Sequence, residues 1–145
     1  MATMYKWKTK PYRHQVAAVK EAIPALRETG GFALLMEPRT GKTKTTIDII
    51  SIQYMLGETS RVVVVAPLGV LHVWVDEIRK HCPHRCRITV WDKKGRKGFD
   101  LPPKNSNLLE WVLINYEAFS TPGAIIGKDA KGAIKRSRSR GGRFE

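Results

Sequence analysis

Four short apolar runs, "FALLM" (32–36), "VVVVA" (62–66), "ITVW" (88–91) and "WVLIN" (111–115), constrain the fold more than any other feature of the chain. Each is bounded by glycine, proline or charge, and none alternates apolar with polar residues. Runs of that kind suit strands covered on both faces, as in a parallel sheet. Helical stripes lie between them. Val16, Val19, Ile23 and Leu26 share one helical face ahead of Gly30 and Gly31, and Pro24, which removes a hydrogen bond, is expected to bend or end that helix. "TTIDIISIQYML" predicts a second helix that stops at Gly57. Leu71, Trp74, Val75 and Ile78 form a third stripe, which dies before Pro83. The expected order is a helix followed by β-α-β-α-β-loop-β, an α/β wound sheet without internal repeats. At 145 residues and 42% hydrophobic, the chain can bury one core.

The stretch "MEPRTGKTKTT" (36–46) follows the first predicted strand and opens the second predicted helix. That is the setting in which a phosphate-binding loop is expected. A triphosphate needs backbone N–H donors, the positive end of a helix and a cation within one turn. Gly41 lets the chain curl close to the phosphates, Lys42 reaches the β- and γ-phosphates as the candidate catalytic residue, and Thr43 holds Mg²⁺. Arg39, Thr40 and Lys44 complete the candidate nucleotide-contacting set, and ATP with Mg²⁺ is the implied cofactor. The pattern G-x-x-x-x-G-K-[ST] departs at its first position, where this chain has Met36.

Net charge is +13, and it is unevenly placed. Residues 1–20 carry five basic and no acidic side chains, 93–104 five basic and one acidic, and 127–145 seven basic and two acidic, whereas 21–92 carry nine basic and eight acidic. A nearly neutral body with basic ends and a basic loop favours a polyanion partner, because fixed cations displace counterions from phosphates. No apolar run approaches the roughly 20 residues that cross a bilayer, and the polar start lacks the apolar stretch of a signal peptide. A cytoplasmic protein without a membrane partner is expected. Cys82 and Cys86 are too few and too close to staple a secreted fold, so reduced thiols are expected.

Four ordered motifs, "PYRHQVAAV", "MEPRTGKTKTTIDI", "VVVVAPLGVLHVWVDEI" and "WVLINYEAF", resemble the first RecA-like lobe of superfamily 2 helicases. The closest resemblance is to Swi/Snf-type DNA translocases in their small bacterial and phage form, and it covers residues 10–120. It implies a P-loop NTPase fold for residues 1–126, a mostly parallel sheet flanked by helices, followed by a basic flexible tail or insertion at 127–145. Glycine at the Met36 position is often replaced in such ATPases. By the same resemblance Gln15 reads adenine through a paired amide contact, which suits a side chain that both donates and accepts. Tyr12 packs on the base. Pro67 and Leu68 match a segment that holds a DNA phosphate, and Asn115 and Tyr116 match a second segment near the DNA track. Trp74 reads as core, and Asp76 and Glu77 as solvent-facing.

Hydrolysis in such lobes needs an Asp-Glu pair at the end of a later strand, one to organise Mg²⁺ and one to activate water. The acids after residue 100 are Glu110, Glu117, Asp129 and Glu145, and none is adjacent to another. A segment like "GGRFE" precedes that strand in relatives, so the resemblance implies an incomplete lobe, lacking the box and the second RecA-like lobe. Such a chain would act only with the missing lobe or a partner protein and would scarcely hydrolyse ATP alone. The alternative is a non-enzymatic basic module that binds DNA or a partner protein and keeps the loop as a relic. "HCPHRC" gathers His81, Cys82, His84 and Cys86 in one turn, but structural zinc sites usually draw ligand pairs from two segments, so a polar helix-end loop is the expectation.

Overall fold

One strand, β3 (Leu109–Asn115), is buried at every position, and the rest of the fold is arranged around it. The computed structural model describes residues 5–91, 107–116, 126–128 and 134–136. The basic loop at 93–104 and most of the tail at 127–145 lie outside the described residues. β1 (Arg61–Ala66) and β2 (Cys86–Trp91) flank β3 on either side, both parallel to it, giving the order β1-β3-β2. The central strand is buried at every position between its two neighbours, and its sequence is accordingly apolar without alternation apart from Glu110 and Asn115.

On one face, Val62, Val64 and Ala66 of β1 line up with Leu109, Trp111 and Leu113 of β3 and with Cys86 and Ile88 of β2. Two helices close over this face. α2 (Lys42–Met55) supplies Ile47, Ile50 and Tyr54, and α3 (Leu71–His81) supplies Leu71, Trp74, Val75 and Ile78. On the other face Arg61, Glu110 and Arg87 stand in register across the three strands. Glu110, buried at 2% exposure, accepts from Arg61 at 2.6 Å and Arg87 at 3.3 Å, so its charge is removed from water in the company of two partners. Val63 and Val65 on that face are half-exposed.

α1 (Arg13–Thr29) packs outside α2, where Val19 and Ala22 meet Ile49, with Ile23, Leu26, Ile52, Trp7 and Leu34 around them. The helix runs through Pro24 and ends at Gly30 (φ +72°), whose N–H bonds the Leu26 carbonyl. α2 ends as expected before Gly57 (φ +75°). Two further short strands, β4 (Ile126–Lys128) and β5 (Ile134–Arg136), pair antiparallel.

One expected strand is absent. Residues 31–37, which include "FALLM", run without strand pairing, and Leu35 is almost fully exposed. A strand exists by virtue of its ladder partner, and among the described residues no strand pairs with this segment; only Leu34 is packed, against the α1–α2 cluster.

Candidate nucleotide-binding site

The loop between residue 36 and α2 is built from two left-handed residues and one lysine. Arg39 (φ +64°) and Gly41 (φ +83°) turn the backbone sharply on either side of Thr40, whose hydroxyl donates to the Glu37 carbonyl at 2.6 Å. Lys42, the first residue of α2, folds its ammonium back across the loop and donates to the carbonyls of Met36 and Glu37, both at 2.9 Å. One ammonium thus ties the start of the loop to the start of the helix.

The helix end is open. The first intrahelical bond to form runs from the Thr45 N–H to the Gly41 carbonyl at 3.0 Å, so the N–H groups of Lys42, Thr43 and Lys44 have no partner within the helix. These three amides and the positive end of the helix macrodipole suit an anion. The threonines divide in a telling way. Thr45 and Thr46 donate their hydroxyls to carbonyls four residues back, at 3.1 and 3.0 Å, whereas the Thr43 hydroxyl has no protein partner among the described residues. The donor set therefore fits a triphosphate with a divalent cation: amides without a partner in the helix, one cation across the loop and one spare hydroxyl.

α1 grips this loop from the side. Gln15 is buried at 2% exposure, accepts from the Tyr12 N–H at 3.0 Å and donates to the Thr40 carbonyl at 3.1 Å. His14 also meets the Thr40 carbonyl, at 3.0 Å from Nε2, and stacks on the ring of Tyr12 with centroids 5.7 Å apart. Tyr12 itself is 70% exposed. A Cβ placed on Gly41 would lie 2.4 Å from Gln15 Nε2. Gly41 is needed both for its positive φ and for this close approach. Gly41→Ala is expected to lower stability by at least about 1–2 kcal/mol from the left-handed backbone alone, and more as Gln15 is displaced. Chemical denaturation of both forms checks it.

Lys44 is placed differently from its neighbours. Its side chain is buried, and the ammonium turns inward to meet Asp48 Oδ2 at 2.5 Å, 5.5 Å from the centre of the Trp7 ring. Asp48 also accepts from the Tyr5 hydroxyl at 3.5 Å. Burial holds the Asp48 carboxyl above the usual carboxylate range despite Lys44 beside it. The sequence set thus divides: Gln15, Tyr12, Thr40, Gly41, Lys42 and Thr43 come together, Arg39 is exposed on the loop, and the Lys44 side chain faces the interior. His14 was not among the sequence candidates; its only signal was adjacency to Gln15.

The other predicted positions meet at one edge of the sheet. Ala66 and Asn115 are register partners at the carboxyl ends of β1 and β3, and the Tyr116 N–H bonds the Ala66 carbonyl at 3.3 Å. Pro67 and Leu68, which follow β1 into a 3₁₀ turn (Leu68–Val70), are therefore brought beside Asn115 and Tyr116. Leu68 and Tyr116 are half-exposed and Asn115 is buried. The carboxyl edge of a parallel sheet is where ligands bind in open α/β folds. His81, Cys82, His84 and Cys86 do not converge: His81 meets Thr9 and Glu77, His84 meets the Ser51 carbonyl, and the two sulfurs meet each other.

Residues 14–137 match the family model of the SNF2-related domain. The chain belongs to that family. A solved structure, the Sulfolobus solfataricus SWI2/SNF2 ATPase core in complex with dsDNA, is similar over 79% of this SNF2-related chain, with a TM-score of 0.65 and 24% identity. The chain spans 23% of the length of that one. At this identity the likeness establishes the fold, that of a RecA-like core fragment. No curated protein matches the chain. No helix among the described residues is long and apolar enough to cross a membrane.

Proposed function

We propose that this SNF2-related chain is the ATP-binding N-terminal part of an ATP-dependent DNA translocase or helicase. The observation that carries the reading is the start of α2, where three amides have no partner within the helix, the Lys42 ammonium lies across the loop and the Thr43 hydroxyl is unengaged among the described residues. In this reading Lys42 leaves the Met36 and Glu37 carbonyls for the β- and γ-phosphates, a charge-assisted contact that outweighs two neutral ones. Thr43 takes the Mg²⁺, and Arg39 and the backbones of Thr40, Gly41 and Lys44 complete the cradle. Gln15 couples the loop to α1, and its remaining N–H and lone pair are what an adenine edge requires, with Tyr12 packing on the base. ATP would supply a phosphoanhydride whose cleavage drives movement. With no adjacent Asp-Glu pair after residue 100, and Asp76 and Glu77 lying within α3 instead of at a strand end, these residues would hydrolyse ATP scarcely by themselves and would depend on a second lobe or a partner protein.

DNA is the proposed polyanion. Its phosphates would meet the edge formed by Pro67, Leu68, Asn115 and Tyr116, in keeping with the neighbour solved on dsDNA and with the basic excess of this chain. The nucleotide reading is tested by titrating a fluorescent ATP analogue with Mg²⁺ into the wild type and Lys42→Ala. The variant is expected to bind at least about tenfold more weakly, the equivalent of about 1.4 kcal/mol. Equal binding by the two proteins would sink the reading. The +13 charge supports a second one, a non-enzymatic DNA-binding module, which requires salt-sensitive DNA binding that nucleotide does not change.

A further inference from the structure

The end of α3 and the start of β2 bring two thiols together away from the nucleotide loop. Cys82 caps α3 and Cys86 opens β2, and their sulfurs lie 3.1 Å apart, with Cys86 donating to Cys82. Ser51 on α2 donates its hydroxyl to the same Cys82 sulfur at 3.6 Å, and the Cys86 sulfur also approaches the His84 carbonyl at 3.2 Å. Cys82 is buried and Cys86 partly open, and both line a cavity of about 340 Å³ together with Lys8 and Arg79. The sulfurs need to close by only about 1 Å to reach the roughly 2.05 Å of a disulfide.

We propose that Cys82 and Cys86 form a peroxide-sensitive dithiol, a modification site at which Cys82 is the attacking sulfur and Cys86 the resolving one. Two observations assign the roles. Cys82 is the sulfur that accepts from both Ser51 and Cys86, an arrangement that favours its thiolate; Cys86 is the donor and so keeps its proton longer. These hydrogen bonds, the Cys86 one foremost, lower the Cys82 thiol to about 6 against the opposing effect of burial. The same contact and burial push Cys86 up. Lys8 and Arg79 in the cavity wall, His84 in the connecting turn and Tyr5 on the segment before α1 are other titratable groups around the pair.

The chemistry balances with hydrogen peroxide as oxidant. The Cys82 thiolate attacks one peroxide oxygen, the O–O bond breaks, and the departing hydroxide takes a proton and leaves as water, giving Cys82 sulfenic acid. Cys86 then loses its proton and its sulfur displaces hydroxide from Cys82: the S–S bond forms, the S–O bond breaks, and a second water leaves. Two thiols and one peroxide become one disulfide and two waters. The small oxidant suits a buried sulfur that lines a cavity beside a partly open one.

Intact-mass spectrometry after peroxide treatment tests the assignment. The wild type is expected to lose the mass of two hydrogens, with peptide mapping placing the link between Cys82 and Cys86 and dithiothreitol restoring the mass. Cys86→Ser is expected to halt at a Cys82 sulfenic acid that dimedone traps, and Cys82→Ser to react at least about tenfold more slowly, because a protonated thiol is a poor nucleophile. Circular dichroism of both variants monitors folding. If either unfolds, the wild-type oxidation rate across pH decides: it should level off above the Cys82 value instead of climbing past pH ~8.5, the ordinary thiol range. Sulfinic or sulfonic products without a disulfide, chain-to-chain links alone, or a rate that rises through that range without a plateau would overturn the proposal.

Discussion

Replacing Trp111 by alanine is expected to destabilise the protein by about 3–5 kcal/mol. Trp111 is 0% exposed and is the largest of the fully buried side chains. It sits on the central strand, in register with Val62 on one side and Ile88 on the other, within the cluster that α2 and α3 cover. Truncation there leaves a cavity with walls from three strands and two helices. No single element can relax to fill it, because each is also held by the others. A domain of this size has only about 5–15 kcal/mol of stability in all, so the variant should unfold at markedly lower urea, with part of the population unfolded in buffer. Val63→Ala, on the half-exposed side of β1, is the control and should lie within about 0.5 kcal/mol of the wild type. Equilibrium urea unfolding of the three proteins measures both. A Trp111→Ala loss no larger than that of Val63→Ala would mean that β3 is not the centre of the core.

The parallel sheet was legible because its strands are short apolar runs without alternation, although only β3 is buried along its whole length. "VVVVA", "ITVW" and "WVLIN" became β1, β2 and β3, and the loops after β1 and β3 fell at one edge as parallel pairing requires. "FALLM" has the same composition and is not a strand, since pairing depends on a partner that composition does not specify. Pro24 illustrates a different limit. A proline within a helix costs about 3 kcal/mol, yet α1 runs past it to Gly30 because Val19, Ala22, Ile23 and Leu26 bury a face against α2. Local propensity argued for a bend or a break; packing carries the helix on without a break.

At the site, the placement of the loop was readable from residue order alone: Lys42 and Thr43 follow Gly41 at a helix start. What the sequence left hidden is how far the site is held from elsewhere. The contact of Gln15 with Thr40 and Gly41 crosses from one helix to the loop before another, and the position of Cys82 against Ser51 crosses from α3 to α2. Lys44 shows why such contacts matter. By spacing it belongs with Lys42 and Thr43, but Tyr5 and Trp7, from a segment with no periodicity, cover it and turn its charge inward toward Asp48.

That inward turn makes Asp48→Ala the second large effect, an expected loss of about 3–5 kcal/mol, because the buried Lys44 ammonium is left without its counter-charge. Asp48 is 1% exposed and Lys44 7%, so neither can recover water without moving the segment that carries Tyr5 and Trp7. Truncating the carboxylate also leaves the Tyr5 hydroxyl without the acceptor it meets at 3.5 Å. The pair as a whole stabilises far less than the single variant would imply. Separating two charges from water costs nearly what their attraction returns, and the raised carboxyl of Asp48 reflects that burial. Lys44→Met combined with Asp48→Leu is therefore expected to restore most of the loss, since both sites then hold apolar groups of similar volume. Urea unfolding of the single and double variants measures the coupling. The double variant also separates structure from ligand contact: if Lys44 serves the loop only through its backbone amide, the refolded double variant binds the fluorescent ATP analogue as the wild type does. Restored stability with binding reduced as far as in Lys42→Ala would instead place the Lys44 ammonium in the nucleotide site, and require the helix start to rearrange when nucleotide arrives.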